Sequence, residues 1–298
     1  MVKRNEILVK NMIYKNEKLS KYSWFNLGGP AEVLFKPNSI DDLKDFLFES
    51  KNKNDNVFIL GAGSNTLFRD SGFKGIIIKL GKTFTEAKLL KDNKIEVGAA
   101  TLDKKLADFA CQNSISGLEF LSCIPGSIGG AIIMNSGCYD SDISKVFYSL
   151  KTISLDGKIK IFKKDEVDFF YRRSSLDKKL IILSVILQGQ AGNKNEIKKK
   201  QDFLLNKKKE SQPSRIKTCG STFKNPINKK AWELIKLSDC SNLAVGGASI
   251  SSHHCNFFFN NGKATSADIE KLIEKVKEKV FLKTGINLEL EIKIVGAK

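Results

Sequence analysis

The stretch Leu60-Gly61-Ala62-Gly63-Ser64-Asn65-Thr66 follows the apolar run Val57-Phe58-Ile59. A short apolar run before a glycine cluster predicts a buried strand that ends in a tight loop. A Rossmann site requires a further glycine in such a loop and a helix after it. Here that glycine is missing and Leu67 to Gly72 has no helical pattern. The sequence therefore argues against a Rossmann fold.

Gly81-Lys82-Thr83 is no better as a P-loop, because Gly75 lies one residue too far upstream and the residues between are strand-like. The first loop can still bind a phosphate group, although it fits neither of these two motifs. Glycines let backbone N–H groups approach a pyrophosphate, and Ser64 and Asn65 add side-chain hydrogen bonds.

A second glycine-rich segment, Ile124-Pro125-Gly126-Ser127-Ile128-Gly129-Gly130-Ala131, is followed by Asn135, Ser136 and Gly137. We predict a tight turn with exposed backbone donors here. One such loop alone is more often an ordinary turn. Two in the same part of the chain favour a phosphate-bearing cofactor.

Hydrophobic periodicity and turn residues predict the other elements of the first part of the chain. They are a helix over 40–50 with Asn38-Ser39 as its cap, strands over 75–80 and 95–100, a short helix over 102–110, a hairpin over 146–162 that turns at Asp156-Gly157, and a strand over 181–187.

The last third begins with a lysine-rich stretch, Lys194 to Lys209, which predicts a solvated helix anchored by Ile197, Phe203 and Leu204. A second helix is predicted from Ile269 to Val280, with Thr265 and Asp268 as a capping box and Gly285 at its end. Alternation predicts a strand over 286–295. The chain is thus of the α+β class.

The composition restricts the function classes. The net charge is +17, which suits anionic partners, but the lysine-rich stretch lacks the interleaved aromatics that stack on bases. We expect no nucleic-acid partner, and a basic nucleic-acid-binding protein remains the alternative from another class. No apolar run has membrane-spanning length and the start lacks a secretory h-region, so we expect a cytoplasmic protein. The spacing of the cysteines and histidines predicts reduced cysteines and no metal.

Five stretches together resemble the UDP-N-acetylenolpyruvoylglucosamine reductase family. They are Ser23-Trp24-Phe25-Asn26-Leu27-Gly28-Gly29-Pro30-Ala31, Leu60 to Asn65, Gly117 to Asn135, Phe170-Tyr171-Arg172-Arg173-Ser174, and Gly220-Ser221-Thr222-Phe223-Lys224-Asn225-Pro226. The tail adds Gly246-Gly247-Ala248, His254 to Asn256, and Glu289 to Gly296. The short distance from Arg172 to Ser221 resembles the family's second type, which lacks a tyrosine-bearing insertion.

The resemblance implies a vanillyl-alcohol-oxidase (PCMH) type FAD-binding domain over 27–191, after an N-terminal segment 1–26, and a substrate-binding domain over 192–298. It implies non-covalent FAD, NADPH as co-substrate and a UDP-sugar substrate, and we favour a monomer. The implied FAD contacts are Gly61, Ala62, Gly63, Ser64, Asn65, Gly126, Ser127, Gly129, Gly130, Asn135 and Gly137.

For the reaction, the resemblance implies that Ser221 donates a proton, and that Arg172 and Glu291 polarise the substrate carboxylate and stabilise developing charge. Glu291 must then carry a proton or be hydrogen-bonded. Tyr171 and Asn225 are implied substrate contacts. The motif register selects Arg172 over Arg173 and Glu291 over Glu289.

Three positions depart from the family's pattern. Asn26 replaces a basic residue, Cys123 a glycine, and Cys219 an alanine, where we expect the thiol to be a small-volume substitute. A flavin oxidase of the same fold, acting on another small molecule, remains an alternative. The Ser221 motif argues against it.

Overall fold

The structure is a computed structural model that describes residues 12–50 and 56–298. Residues 1–11, within the predicted N-terminal segment 1–26, lie outside the described residues. The chain divides into two units. The first contains Val33–Ala62 and Gly75–Lys208, with the described residues up to Lys15; the second contains Asn16–Glu32, Gly63–Lys74 and Lys209–Lys298. The boundaries predicted from the sequence, at 27–191 and 192–298, stay a prediction.

The strands of the described residues are labelled in chain order. They are β1 Ile13–Lys18, β2 Pro30–Phe35, β3 Val57–Ile59, β4 Thr66–Phe68, β5 Phe73–Ile78, β6 Ala87–Leu89, β7 Lys94–Gly98, β8 Ile115–Ser116, β9 Gly137–Cys138, β10 Ser141–Asp142, β11 Phe147–Ile153, β12 Ile159–Lys163, β13 Phe169–Phe170, β14 Arg173–Ser174, β15 Ile181–Gln188, β16 Gln190–Ala191, β17 Ala244–Val245, β18 Ala248–Ile250, β19 Phe258–Asn260 and β20 Lys293–Val295.

The α-helices are Ile40–Ser50, Asp103–Gln112, Ile128–Met134, Ile143–Val146, Lys194–Ser211, Ala231–Leu237 and Ser266–Thr284. Short 3-10 helices cover Leu19–Tyr22, Lys82–Thr85, Glu119–Cys123 and Lys164–Glu166. In the part of the chain that is described, no helix has both the length and the apolar character to cross a bilayer.

The first unit has two large sheets, three two-stranded ones and two apolar cores among the described residues. One sheet has five strands in the order β12-β11-β15-β7-β6, all antiparallel. The other has the order β1-β2-β5-β3, and in it β3 and β5 run parallel with Val57 opposite Ile76. Because parallel strands end at the same edge, the residues after β3 and after β5 are neighbours. This edge carries the first glycine loop.

The second unit has one core built around the helix Ser266–Thr284. Its apolar face, Ile269, Leu272, Ile273, Val276 and Val280, is fully buried against the antiparallel sheet β17-β18-β19 and the helix Ala231–Leu237. β20 pairs in parallel with β4, with Lys293 opposite Thr66. That pairing places the residues just before β20 beside the end of the glycine loop, which precedes β4.

Most predicted elements are confirmed. The helix over 40–50, the strands beginning near 57, 75, 95 and 181, and the hairpin at Asp156-Gly157 are all present. Ser39 Oγ accepts from Asp42 N at 3.0 Å as a cap. The capping box of Thr265 and Asp268 is formed, and Gly285 ends its helix with φ +70°.

Two predictions of local structure are wrong in part. The strand predicted over 286–295 is limited to Lys293–Val295. Before it, Leu290 forms only an isolated bridge with Phe223, in which Glu291 N donates to the Thr222 carbonyl and the Glu289 carbonyl accepts from Lys224 N. In the basic helix, Ile197 and Leu204 are buried as predicted, but Phe203 is 62% exposed and is no anchor.

Candidate active site and flavin cradle

Ser221 lies in a short segment that is held by its backbone. Gly220 precedes it with φ +80°, a left-handed conformation that favours glycine. Ser221 itself pairs with Phe257 as an isolated antiparallel bridge. On its other side the Asn256 side chain receives Phe223 N at 2.9 Å and donates to Phe223 O at 2.8 Å. The half-buried serine is therefore fixed by its own bridge to Phe257 and by the amide clamp on Phe223, two residues after it.

Glu291 is brought to the same place. Its backbone N–H donates to the Thr222 carbonyl at 2.9 Å, next to Ser221 in the chain. Asn65, from the first glycine loop, donates from Nδ2 to the Glu291 carbonyl at 3.0 Å. Lys293 N then donates to the Asn65 carbonyl at 2.9 Å. Backbone hydrogen bonds thus connect two of the three predicted catalytic residues, within the second unit.

Arg172 lies in the first unit, in a two-residue turn with Tyr171. The turn joins β13 to β14, where Phe170 pairs with Arg173. Arg172 has φ +58°, a left-handed backbone angle that residues other than glycine seldom adopt. Its guanidinium carbon lies 5.0 Å from the Tyr171 ring centroid. Strained backbone of this kind is concentrated at functional sites, which agrees with the role predicted for Arg172.

Asn135 supports this turn. It ends the helix Ile128–Met134 with φ +41° and is buried. Its Nδ2 donates to the Phe170 carbonyl at 3.2 Å, and its Oδ1 accepts from Ser144 N at 3.0 Å. Asn135, predicted as a cofactor contact, thus binds the backbone just before Tyr171.

The two glycine-rich segments meet in the first unit at Gly61 and Ser127. A Cβ added to Gly61 would lie 2.7 Å from Ser127 Oγ, so glycine is what allows this approach. The second segment, however, is not the open turn that was predicted. A helix begins at Ile128, and the N–H groups of Ile128 and Gly129 donate to Thr101 O and Ala99 O at 2.9 and 2.8 Å.

Glycine at 63 is required for a different reason. It has φ +71°, and an added Cβ would lie 1.7 Å from the Tyr22 carbonyl oxygen. Trp24 N donates to the Gly63 carbonyl at 3.1 Å. The middle of the first loop therefore packs directly on backbone and leaves no room for a side chain.

The unpaired side chain of Ser127 indicates whether the two glycine-rich segments fit a bound flavin nucleotide. Its Oγ is buried and has no hydrogen-bond partner, and the same is true of Thr101 Oγ1 and both carboxyl oxygens of Asp103. Buried polar atoms are seldom left unpaired. Unpaired hydroxyls beside glycine-lined backbone fit a polar nucleotide ligand that completes their hydrogen bonds.

Asp103 and Thr101 were not identified from the sequence. Asp103 is fully buried, and a Cβ on Gly126 would lie 2.5 Å from its Oδ2. Burial raises the pKa of this carboxyl well above its usual value. An acidic residue at the start of a helix is common on surfaces, so the sequence held no signal of its burial.

Asn225 and the residues that the register rejected all have local partners. Asn225 Oδ1 accepts from Ala231 N at 3.0 Å, at the start of the helix Ala231–Leu237. The Arg173 guanidinium carbon lies 4.4 Å from the Phe170 ring centroid. Glu289 Oε2 lies 3.1 Å from Lys224 Nζ. Surface interactions thus account for Arg173 and Glu289.

The six cysteines are unlinked, as predicted. Cys219 belongs to the apolar core of the second unit and is buried at 3% exposure. Burial raises the pKa of its thiol to about 11. It is therefore a small apolar side chain in practice, as predicted.

Comparisons with known proteins cover nearly the whole chain. Residues 31–163 match the model of a FAD binding domain, and residues 212–295 match that of the UDP-N-acetylenolpyruvoylglucosamine reductase C-terminal domain. The reductase of that name from Pelagibacter ubique is 47% identical over 282 residues, 93% of this chain and 92% of the relative. That of a Wolbachia species is 44% identical over 287 residues, 96% of each chain.

A solved structure agrees with these matches. The UDP-N-acetylenolpyruvylglucosamine reductase from Thermus caldophilus is 31% identical and superimposes with a TM-score of 0.83, over 94% of this chain and 98% of the other. The predicted α+β class, with a FAD-binding domain of the vanillyl-alcohol-oxidase type, is confirmed. On this evidence the chain belongs to the UDP-N-acetylenolpyruvoylglucosamine reductase family.

Proposed function

We propose that this protein uses NADPH to reduce UDP-N-acetyl-3-O-(1-carboxyvinyl)glucosamine to UDP-N-acetylmuramate, a precursor of peptidoglycan. The observation that carries the proposal is the hydrogen-bonded pairing of the Ser221 segment with the Glu291 segment in a chain of this family. We expect the enzyme to act in the cytoplasm as a monomer.

Ser221 donates the proton in this reaction. When bound, FAD reduced by NADPH would supply the hydride that the terminal carbon of the enolpyruvyl group receives. The negative charge that develops on the carboxylated carbon is basic enough to take a proton from a serine hydroxyl held at hydrogen-bond distance. The bridge to Phe257 and the clamp by Asn256 support this role, because they fix the serine backbone.

Arg172 and Glu291 act on the substrate carboxylate. A guanidinium binds a carboxylate through two parallel hydrogen bonds and stays charged at any working pH. Glu291 hydrogen-bonds the same group and stabilises the enolate-like charge. Tyr171 and Asn225 contact the substrate. The left-handed turn at Arg172 supports its assignment, since such strain is retained where a side chain must be aimed.

The residues that would hold FAD lie in the two glycine-rich segments. They are Gly61, Ala62, Gly63, Ser64 and Asn65 in the first, and Gly126, Ser127, Gly129, Gly130, Asn135 and Gly137 in and after the second. Backbone N–H groups of such loops bind a diphosphate. Because the Ile128 and Gly129 donors are already used, the second segment contributes through Ser127 Oγ and the glycine surface.

The experiment is anaerobic turnover. The purified protein should show flavin absorbance bands, and NADPH should be consumed in a one-to-one ratio with UDP-N-acetylmuramate formed. A colourless protein with salt-dependent affinity for nucleic acid would overturn the assignment. A parallel assay in air gives the other contrary outcome. If the rate of NADPH oxidation there is rapid and does not change when the sugar nucleotide is added, the protein behaves as a flavin oxidase and the assignment fails.

A further inference from the structure

Lys79 lies immediately after β5, at the sheet edge where β3 also ends. Its ammonium donates a hydrogen bond of 2.5 Å to the carbonyl oxygen of Gly61, the first glycine of the first loop. Leu60 N donates to the Ile78 carbonyl at 2.9 Å, which fixes the two strand ends side by side. The lysine is therefore directed at the loop and away from bulk solvent.

The charge of Lys79 is poorly compensated. Burial lowers its pKa, and the like charge of Lys36 lowers it further. Among the described residues, no carboxylate forms an ion pair with it or offsets these two effects. A half-buried ammonium near a second cation is stabilised when an anion is bound beside it.

Gly61 joins this cation to an unsatisfied hydroxyl. Lys79 binds the carbonyl of Gly61, and Ser127 Oγ lies 2.7 Å from the position that a Cβ at residue 61 would take. Ser127 is 4% exposed and its Oγ has no partner. A buried donor, a glycine surface and an ammonium around one residue are the components of an anion site.

We infer that Lys79 is a binding residue for the diphosphate of FAD and supplies the positive charge that the two glycine segments lack. This inference rests on the proposed placement of FAD at these segments. The hydrogen bond from Lys79 to Gly61 would fix the loop, while the charge of Lys79 would attract the phosphates. Lys79 carries no such signal in the sequence, because a lysine after a strand is ordinarily a surface residue.

The test measures FAD binding to the apoprotein through the change in flavin fluorescence, at low and at high salt. Lys79→Met removes the donor and the charge, whereas Lys79→Gln keeps a donor and removes the charge. Both should weaken FAD binding about 10- to 100-fold at low salt, as expected for loss of a charged hydrogen bond. Both should also reduce the salt dependence of the dissociation constant. Lys79→Arg should stay within a few-fold of the wild type.

Lys36→Met is the matched control, because it removes the nearby cation, which stacks on Tyr14. It should leave FAD affinity unchanged or slightly higher. If Lys79→Gln binds FAD like the wild type, the charge is not used and the inference fails, with the proposed function intact. If the wild-type apoprotein itself does not bind FAD, the proposed function fails first.

Discussion

The two units differ in how their polar groups are satisfied. In the second unit, the Asn256 amide clamps both backbone groups of Phe223, and the Glu291 N–H binds the Thr222 carbonyl. In the first unit, the buried side-chain oxygens of Thr101, Asp103 and Ser127 lack partners. Among the described residues only one further atom shares this condition, Thr222 Oγ1, and it is adjacent to Ser221.

This difference separates two kinds of preorganisation. Apart from Thr222 Oγ1, the segment that carries the proposed proton donor finds its hydrogen-bond partners within the chain, so its backbone is positioned before any ligand binds. The proposed flavin cradle, formed by the side chains of Thr101, Asp103 and Ser127 beside Gly61 and Gly126, is left incomplete at a cost in stability, since an unsatisfied buried group costs about 1–3 kcal/mol. A ligand that satisfies those groups stabilises the protein in proportion to its binding. Substitutions on either side of this contrast should therefore have different consequences.

The largest effect is expected for Ser221→Ala. Removal of the proton donor should lower turnover of the sugar nucleotide by about 100- to 10,000-fold, the usual contribution of general acid catalysis. Reduction of the bound flavin by NADPH should continue at the wild-type rate. The loss of flavin absorbance measures this reduction. An alanine at the exposed Ser214 is the control. Normal substrate turnover by Ser221→Ala would end the assignment of Ser221.

Glu291→Gln should come next. Loss of the acid should lower kcat about 100- to 1,000-fold, comparable to removing one group that stabilises transition-state charge. The backbone bonds of residue 291 to Thr222 and Asn65 should hold the segment in place, so the melting temperature should stay near that of the wild type. Glu289→Gln removes only the exposed pairing with Lys224 and should leave kcat unchanged. Equal kcat losses in the two variants would refute the role of Glu291.

What could be predicted from the sequence was determined by local interactions. The capping box at Thr265, the turn at Gly285 and the strand before Gly61 each depend on residues within a few positions of one another. The strand over 286–295 was overextended, because the partners of Glu291 are the distant residues Thr222 and Asn65. The alternation of apolar and polar residues indicates which side of an extended segment is buried. It does not indicate which residues the backbone N–H and C=O groups bind.

The second glycine-rich segment differs from its prediction as an open turn, since a helix begins at Ile128. Adjacent glycines disfavour helix, so Gly129 and Gly130 predicted a turn, yet the pairing of Gly129 N with Ala99 O overrides that preference. In the sequence, nothing distinguishes Asp103 and Lys79 from ordinary surface residues. Only packing against Gly126 and Gly61 makes them unusual. The roles proposed for Ser221, Arg172 and Glu291 come from resemblance to the family, and local sequence pattern alone could not have indicated them.

Ser127→Ala should sharpen the comparison by giving effects of opposite sign. The apoprotein should become more stable, by up to about 1–3 kcal/mol, because an unpaired buried hydroxyl is removed. FAD binding should weaken by about tenfold, since the ligand loses a hydrogen bond. Thermal unfolding of the apoprotein and flavin fluorescence measure the two effects.

Ser122→Ala is the matched control for that pair of measurements. Ser122 is also buried, but its Oγ donates to the Glu119 carbonyl at 2.7 Å. Its replacement should therefore destabilise the apoprotein by about 1 kcal/mol. If both alanines destabilise the apoprotein alike, Ser127 is satisfied within the chain and the cradle is not incomplete at that position.

Asp103→Asn comes last, because its effect on stability depends on pH and vanishes at the acidic end of the range. Burial raises the pKa of the folded-state carboxyl, so the folded protein retains a proton that the unfolded chain releases. Wild-type stability should then fall as pH rises from the ordinary Asp pKa toward the raised one, with a limiting slope of about 1.4 kcal/mol per pH unit. The neutral amide variant lacks this loss, so its stability relative to the wild type should increase over the same window and level off above it. Asp108→Asn, on the same helix at a partly exposed position, is the control and should show no comparable divergence in urea unfolding. Parallel pH profiles for wild type and Asp103→Asn would mean that the carboxyl is solvated or paired, and the contrast between the units would rest on the hydroxyls alone.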